Sequence, residues 1–166
     1  MNGALELVLR GALLGVGGAA AMDAWGLLAR RAFGIVGLDY ALLGRWIGHL
    51  PRGRFFHARI AAAEPVRGER PLGWFAHYAI GIAFALLLLG LQGLAWARSP
   101  TLGPPLAVGL GTIVAPWCVM QPAMGAGVAA SKTPDPTAVR LRNLATHAVY
   151  GLGLYLSALL LARLWP

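Results

Sequence analysis

His77 and His147 each stand four residues before a glycine, in Ala76-His77-Tyr78-Ala79-Ile80-Gly81 and Thr146-His147-Ala148-Val149-Tyr150-Gly151, and each opens onto a long apolar run. An imidazole inside an apolar helix adds nothing to solubility, so two at matching places suggest proton handling, ligand binding or metal ligation. Superposing them brings Met22-Asp23-Ala24-Trp25-Gly26 into loose register with Met120-Gln121-Pro122-Ala123-Met124-Gly125. His77, His147, Asp23 and Gln121, with Tyr78, Tyr150 and Asn143 beside them, form the candidate ligand-binding set.

Three chemistries suit that set. Two neutral imidazoles and a carboxylate can hold a transition metal, with His77, His147 and Met120 as candidate ligands and Met22, Met124 and Cys118 as further soft donors suited to copper. Histidines on different helices can bind haem axially. His and Asp side chains can also relay protons or grip a small polar ligand or ion. The metal and haem readings lack a signature, since His-x-x-x-His, Cys-x-x-Cys and Glu-x-x-His are all absent. The structural alternative gives Asp23 to Arg30 or Arg31 as an ion pair and gives the histidines to hydrogen bonds between helices, with Tyr78 and Tyr150 as partners. No catalytic residue emerges. Ser131 and Thr133 have no base nearby in sequence, Cys118 is set among apolar residues that keep a thiol protonated, and neither a nucleophile elbow nor a phosphate loop is present.

The elements that must position these residues are membrane spans. The 166 residues are 58% hydrophobic and only 12% charged, with a mean hydropathy of +0.65, where a soluble domain carries about a quarter of its residues charged. Stretches at about 11–29, 73–97, 104–128 and 144–162 are each long enough to cross the hydrocarbon core as helix. The alternation that a membrane barrel needs is absent. The first stretch resembles a secretory leader, but Glu6 spoils its basic start and apolar residues resume at Trp25, Leu27 and Leu28, so it is expected to be retained as a span. Cys118 is the only cysteine, which rules out an intramolecular disulfide. The expected fold is an all-α integral membrane four-helix bundle, one domain built as two helical hairpins in parallel repeat.

Small residues recur every four positions, at Gly11, Gly15 and Ala19, at Gly73, Gly81 and Ala85 around His77, and at Gly151 after Asn143 and His147. That spacing lets helices approach closely and turns the polar side chains inward. Pro116 and Pro122 remove backbone donors from the third span and predict a kink. In the connection over 30–72, Leu38, Leu42, Leu43, Trp46, Ile47 and Leu50 oppose Asp39, Arg45 and His49, as in a short interfacial helix. Phe55 to Ala63 is a second candidate helix, His49 and His57 read as surface residues, and Glu64 and Glu69 as solvated partners of Arg67 or Arg70. Asp135 and Pro136 suit the cap and first position of the last helix.

Eight arginines fall within 30–72, and Lys132, Arg140 and Arg142 between the third and fourth spans, which puts both connections in the cytoplasm and both termini outside. The net charge of +8 reads as topology and as affinity for a lipid bilayer with anionic headgroups. Nucleic acid is not an expected partner, because no basic run is interleaved with exposed aromatics. A homodimer is plausible for so few spans.

Together Met22-Asp23, Gly44-Arg45-Trp46, His57, Glu69 with Gly73-Trp74 and His77-Tyr78, Pro100-Thr101, Met120-Gln121-Pro122, Ser131-Lys132-Thr133-Pro134 with Pro136, and His147 with Gly151-Leu152-Gly153-Leu154-Tyr155 form a distinctive pattern. The chain resembles, over nearly its whole length, a family of small bacterial inner-membrane proteins known as domain of unknown function 2938. That resemblance implies a multi-span bacterial inner-membrane protein and implies no activity, substrate or cofactor. The leading expectation is binding or translocation of a small ligand or ion at a polar site near the cytoplasmic side. A membrane accessory or assembly protein with a purely structural polar layer is the alternative, and a haem- or metal-binding electron-transfer protein the third.

Overall fold

The computed structural model describes residues 2–166. Among them there is no strand, and the elements are helices: α1 (Gly3–Phe33), α2 (Tyr40–His49), α3 (Glu69–Arg98), α4 (Gly103–Gly111) and α5 (Pro136–Leu164). Their ends follow from local chemistry. Asn2, Asp39 and Asp135 accept from the backbone N–H of Ala4, Ala41 and Ala138 at 3.0, 2.9 and 3.0 Å, satisfying donors that a helix start leaves open. Gly34 closes α1 at φ 67°, a left-handed conformation that costs glycine little. Beyond α4 the helical path continues through a π-helical stretch at Pro116–Met120 into a helical turn at Gln121–Ala123, so the prolines perturb the third span as expected.

Four helical segments, Gly3–Phe33, Glu69–Arg98, Gly103–Ala123 and Pro136–Leu164, are long and apolar enough to cross a membrane, which fits a multi-pass membrane protein. Their exposed surfaces agree. Leu5, Val8, Leu9, Leu13, Val16 and Leu27 of α1 are all exposed, a continuous apolar stripe that water would penalise and acyl chains accept.

The chain forms two compact units. The first comprises the segment ending at Val36, Tyr78–Thr112 and Ala145–Pro166. Its core gathers Leu14, Ala85, Leu88, Leu89, Tyr150 and Leu154 with their neighbours. Glycines bring the helices together: Gly15 of α1 lies against the backbone of Gly81 and Ile82 on α3, and Gly109 of α4 against His147 and Gly151 on α5. Dispersion over such close approaches is what associates helices in lipid.

The second unit comprises Gly37–His77 and Ile113–Leu144. Here α2 packs on the start of α3 through Gly44, which meets the Glu69 carbonyl, and Gly73, which meets the Tyr40 carbonyl. Two expectations fail in this unit. His49 on the polar side of α2 is not at the surface: Ala41, Gly44 and Gly48 make a contact surface that Arg45 and His49 flank, and His49 is completely buried while Asp39 stays exposed. Phe55 to Ala63 is not a helix but an extended strap with one 3-10 turn at Ile60–Ala62. Its His57 and Ile60 amides donate to the carbonyls of Ala123 and Met124 at 2.8 and 3.1 Å, so donors that a helix would use internally serve the end of the third span.

Candidate functional site

In the first unit the predicted residues form local pairs. Tyr78 donates its hydroxyl to Asp23 Oδ2 at 2.8 Å, joining α3 to α1. Tyr150, 2% exposed, donates to the carbonyl of Gly81 at 2.6 Å, joining α5 to α3. His147 Nδ1 lies 3.0 Å from the Gly109 carbonyl, which also accepts from Thr112 Oγ1 at 2.7 Å. A carbonyl only accepts, so Nδ1 carries a hydrogen, and in the neutral ring Nε2 keeps its lone pair. Tyr150→Phe removes one buried hydrogen bond without opening a cavity and is expected to cost about 1 kcal/mol, read as a lower thermal midpoint in detergent at an unchanged elution volume.

In the second unit Tyr40 stacks on His77, with centroids 4.4 Å apart and planes 25° apart, and its hydroxyl lies 3.2 Å from Nε2. Trp74 meets Tyr40 edge-on at 4.5 Å. The Gly44 and Gly73 contact makes this possible, because it lets the first turn of α2 lie directly against α3.

Gln121 and Asn143 are brought together as well. With the Asn143 amide oriented to match its neighbours, its oxygen accepts from Gln121 Nε2 at 2.6 Å and from Trp117 Nε1 at 3.1 Å, and its nitrogen donates to the Val139 carbonyl at 3.2 Å. The Asn143 oxygen is thus used twice and its nitrogen once. Gln121 is only 8% exposed, and its Oε1 is buried with no hydrogen-bond partner among the described residues. A buried acceptor left bare is costly and uncommon.

The backbone beside Gln121 is irregular. The Gln121 amide bonds back to the Pro116 carbonyl, the five-residue step of a π turn, a distortion frequent at functional sites. Downstream, Ala129 and Ala130 adopt left-handed φ of 46° and 62°, a strain that persists only where neighbours enforce it. Arg140 Nε donates to the Ala129 carbonyl and Thr133 Oγ1 to the Ala130 carbonyl, both at 2.8 Å. Gly125, at φ 93°, leaves room for the strap, because a Cβ there would strike the carbonyls of His57 and Ala58.

Three further groups escape the sequence reading. Glu69 pairs with Arg45 of α2, not with Arg67 or Arg70: Arg45 Nε and Nη2 each lie 2.8 Å from a Glu69 carboxylate oxygen. Glu69 holds the guanidinium above its ordinary value by that hydrogen bonding, against the opposing effect of desolvation. His49 and His57, read as surface residues, face each other with Nδ1 and Nε2 2.7 Å apart, and His49 Nε2 reaches the Glu64 carbonyl at 3.0 Å. Arg10, early in the first span, is completely buried: its Nε bonds to Glu6 at 2.9 Å, its Nη2 donates to the Trp165 carbonyl, and the Trp165 ring lies 4.5 Å from its Cζ. Arg98 binds the same Glu6 carboxylate at 3.0 and 3.1 Å.

Among the described residues no group of three His, Cys, Asp or Glu lies close enough together to hold a metal ion. His77 and His147 enter the distinct pairings given above, with Tyr40 and with Gly109.

Neither a curated protein nor a solved structure shows detectable similarity to the chain. A family model does, over residues 12–161, and its description is "Protein of unknown function (DUF2938)". With almost its entire helical length matched in this way, the chain belongs to the DUF2938 family.

Proposed function

We propose that this protein, in a bacterial inner membrane, binds or translocates a small polar ligand or ion at an intramembrane site centred on Gln121. The observation that carries the reading is the bare Gln121 Oε1, more than nine-tenths buried, in a segment opened by two prolines and a π turn. Proline-interrupted helices expose carbonyls at membrane depth, and such segments are what intramembrane ligand and ion sites are built from. The arginines at 30–72 and the basic residues at 132–142 support an orientation with both termini outside and the inner end of the third span, and with it Gln121, toward the cytoplasm. Because the unfilled atom is an acceptor, the ligand presents a donor: an ammonium, an amine or a hydroxyl.

The second reading, an accessory protein whose polar residues only fix helix register, is favoured by the pairs Tyr78–Asp23 and Tyr150–Gly81, which use each hydroxyl inside the fold. One substitution separates the two. Gln121→Leu gives up the bond to Asn143 but also removes the bare acceptor, so its stability is expected within about 1 kcal/mol of the parent. Purified protein titrated with methylammonium should gain thermal stability, and Gln121→Leu should not. A well-folded Gln121→Leu protein that responds like the parent, or a parent that responds to no donor while Gln121→Leu is severely destabilised, sinks the ligand reading.

A further inference from the structure

We propose that His49 and His57 form a proton-operated latch that fastens the strap, residues 54–63, to the inner end of the third span. The argument begins with counting hydrogens. The Glu64 carbonyl only accepts, so His49 Nε2 carries a hydrogen, and in the neutral ring His49 Nδ1 is an acceptor. His57 Nε2, 2.7 Å away, must then be the donor, which leaves His57 Nδ1 with a lone pair, and that atom is buried with no partner. The neutral pair therefore holds one N–H between its rings and tolerates the bare nitrogen.

Protonation changes each contact in turn. A first proton puts a hydrogen on His57 Nδ1, a buried donor with no acceptor, and places a charge in the site. A second sets N–H against N–H across the 2.7 Å gap and ends the bond between the rings. Of the surrounding charges, Arg45 on α2 and Glu69 at the start of α3 are bonded to each other, and Glu69 alone also attracts a charge on His49. Glu64 presents its backbone oxygen, the segment Gln121–Gly125 against which the strap docks has no titratable side chain, and neither attraction nor acceptor reaches the new hydrogen on His57 Nδ1. Uptake of protons thus favours a state in which the rings separate and the strap leaves its partners.

What the strap covers gives the latch its consequence. His57 and Ile60 donate to Ala123 and Met124, the residues directly after Gln121 and Pro122, and Gly125 lies against the strap's own backbone. Release would uncover the helical turn that carries Gln121. That link to ligand access rests on the function proposed above, whereas the latch itself does not.

The test is amide hydrogen exchange on the full chain in detergent, corrected for intrinsic rates, at about pH 8 and about pH 5.5, either side of the ordinary histidine range. Peptides covering 54–63 should lose protection by about tenfold or more at the lower pH while those from α1 do not. The step should vanish in His57→Gln, which keeps a side-chain donor without a titration, and persist in Gln121→Leu even if that variant no longer answers methylammonium. Should His57→Gln fail to fold, nitrogen-15 spectra of the parent's imidazoles decide, with the hydrogen of each neutral ring expected on Nε2 and both rings responding together as the pH falls. Unchanged protection, a step that survives in His57→Gln, or two rings titrating independently would overturn the proposal.

Discussion

Gly151→Leu is expected to leave no folded protein: in mild detergent the variant should run in the void volume, whereas Gly90→Leu, on a helix surface with open space around it, should elute and melt like the parent. A Cβ at Gly151 would lie 2.7 Å from the Pro105 carbonyl and 2.9 Å from Leu106 Cα, and a Cβ at Gly90 meets nothing within 4 Å. The obstacles at Gly151 are main-chain atoms of α4, so relief requires moving a helix, and the cost should exceed the ~3 kcal/mol of ordinary overpacking. The facing residue is equally tight, since a Cβ at Gly109 would come within 2.7 Å of the His147 carbonyl and 2.8 Å of Gly151 Cα. Separating these helices also removes the Gly109 oxygen from His147 Nδ1, and with it the constraint that sets that ring's tautomer. A Gly151→Leu protein with parental elution and melting would show that α4 and α5 do not cross at these glycines.

The same two glycines show what one sequence can and cannot announce. Gly151 stands in a four-residue stripe with His147, and that periodicity correctly marks a close helix contact, as do the separate stripes through Gly15 and through Gly81. Helix type, the apolar segments, the Asp135 cap and the disturbance at Pro116 are all local properties, written in neighbours a few residues apart. Partners across long separations are not. Nothing near Glu6 in sequence announces Arg98, which lies 92 positions away and shares its carboxylate with Arg10. Glu69 has arginines at 67 and 70, yet pairs with one 24 residues away, because α2 is drawn onto α3 by the Gly44 and Gly73 contact.

The α2 helix misleads for a related reason. Its leucines suggest a lipid-facing stripe, but glycine has no hydropathy signal, and it is Gly44 and Gly48, approached by the Glu69 carbonyl and the Val66 side chain, that choose the buried side. Once that side is set, His49 is carried inward and finds His57. Gln121 was legible as a polar residue inside a span, whereas the bareness of its Oε1 became visible only after Asn143 was seen to take up its amide nitrogen.

Arg45→Ala should be the most damaging change outside the spans, lowering stability by about 3 kcal/mol, the low end for breaking a buried ion pair. Side-chain exposure at Arg45 and Glu69 is only 12% and 17%, so the carboxylate left behind is poorly hydrated. The guanidinium also serves the strap: Nη1 lies 3.4, 3.3 and 3.1 Å from the carbonyls of Ile60, Ala61 and Ala63, while Glu69 Oε2 accepts from the Val66 amide at 3.0 Å. Lysine cannot reproduce that fork, so Arg45→Lys should recover less than half of the loss. Because the arginine's folded value is raised, its contribution is complete below the ordinary arginine range and disappears only in stronger alkali, so raising the pH from about 7 to about 10 should leave the Arg45→Ala deficit unchanged. Salt should matter little as well, since a partly buried pair is weakly screened. Chemical denaturation of parent and variant across that alkaline range, at low and high ionic strength, checks all three statements. A deficit that shrinks sharply with salt would mean that the pair is solvated and that the strap is held mainly by its bonds to Ala123 and Met124.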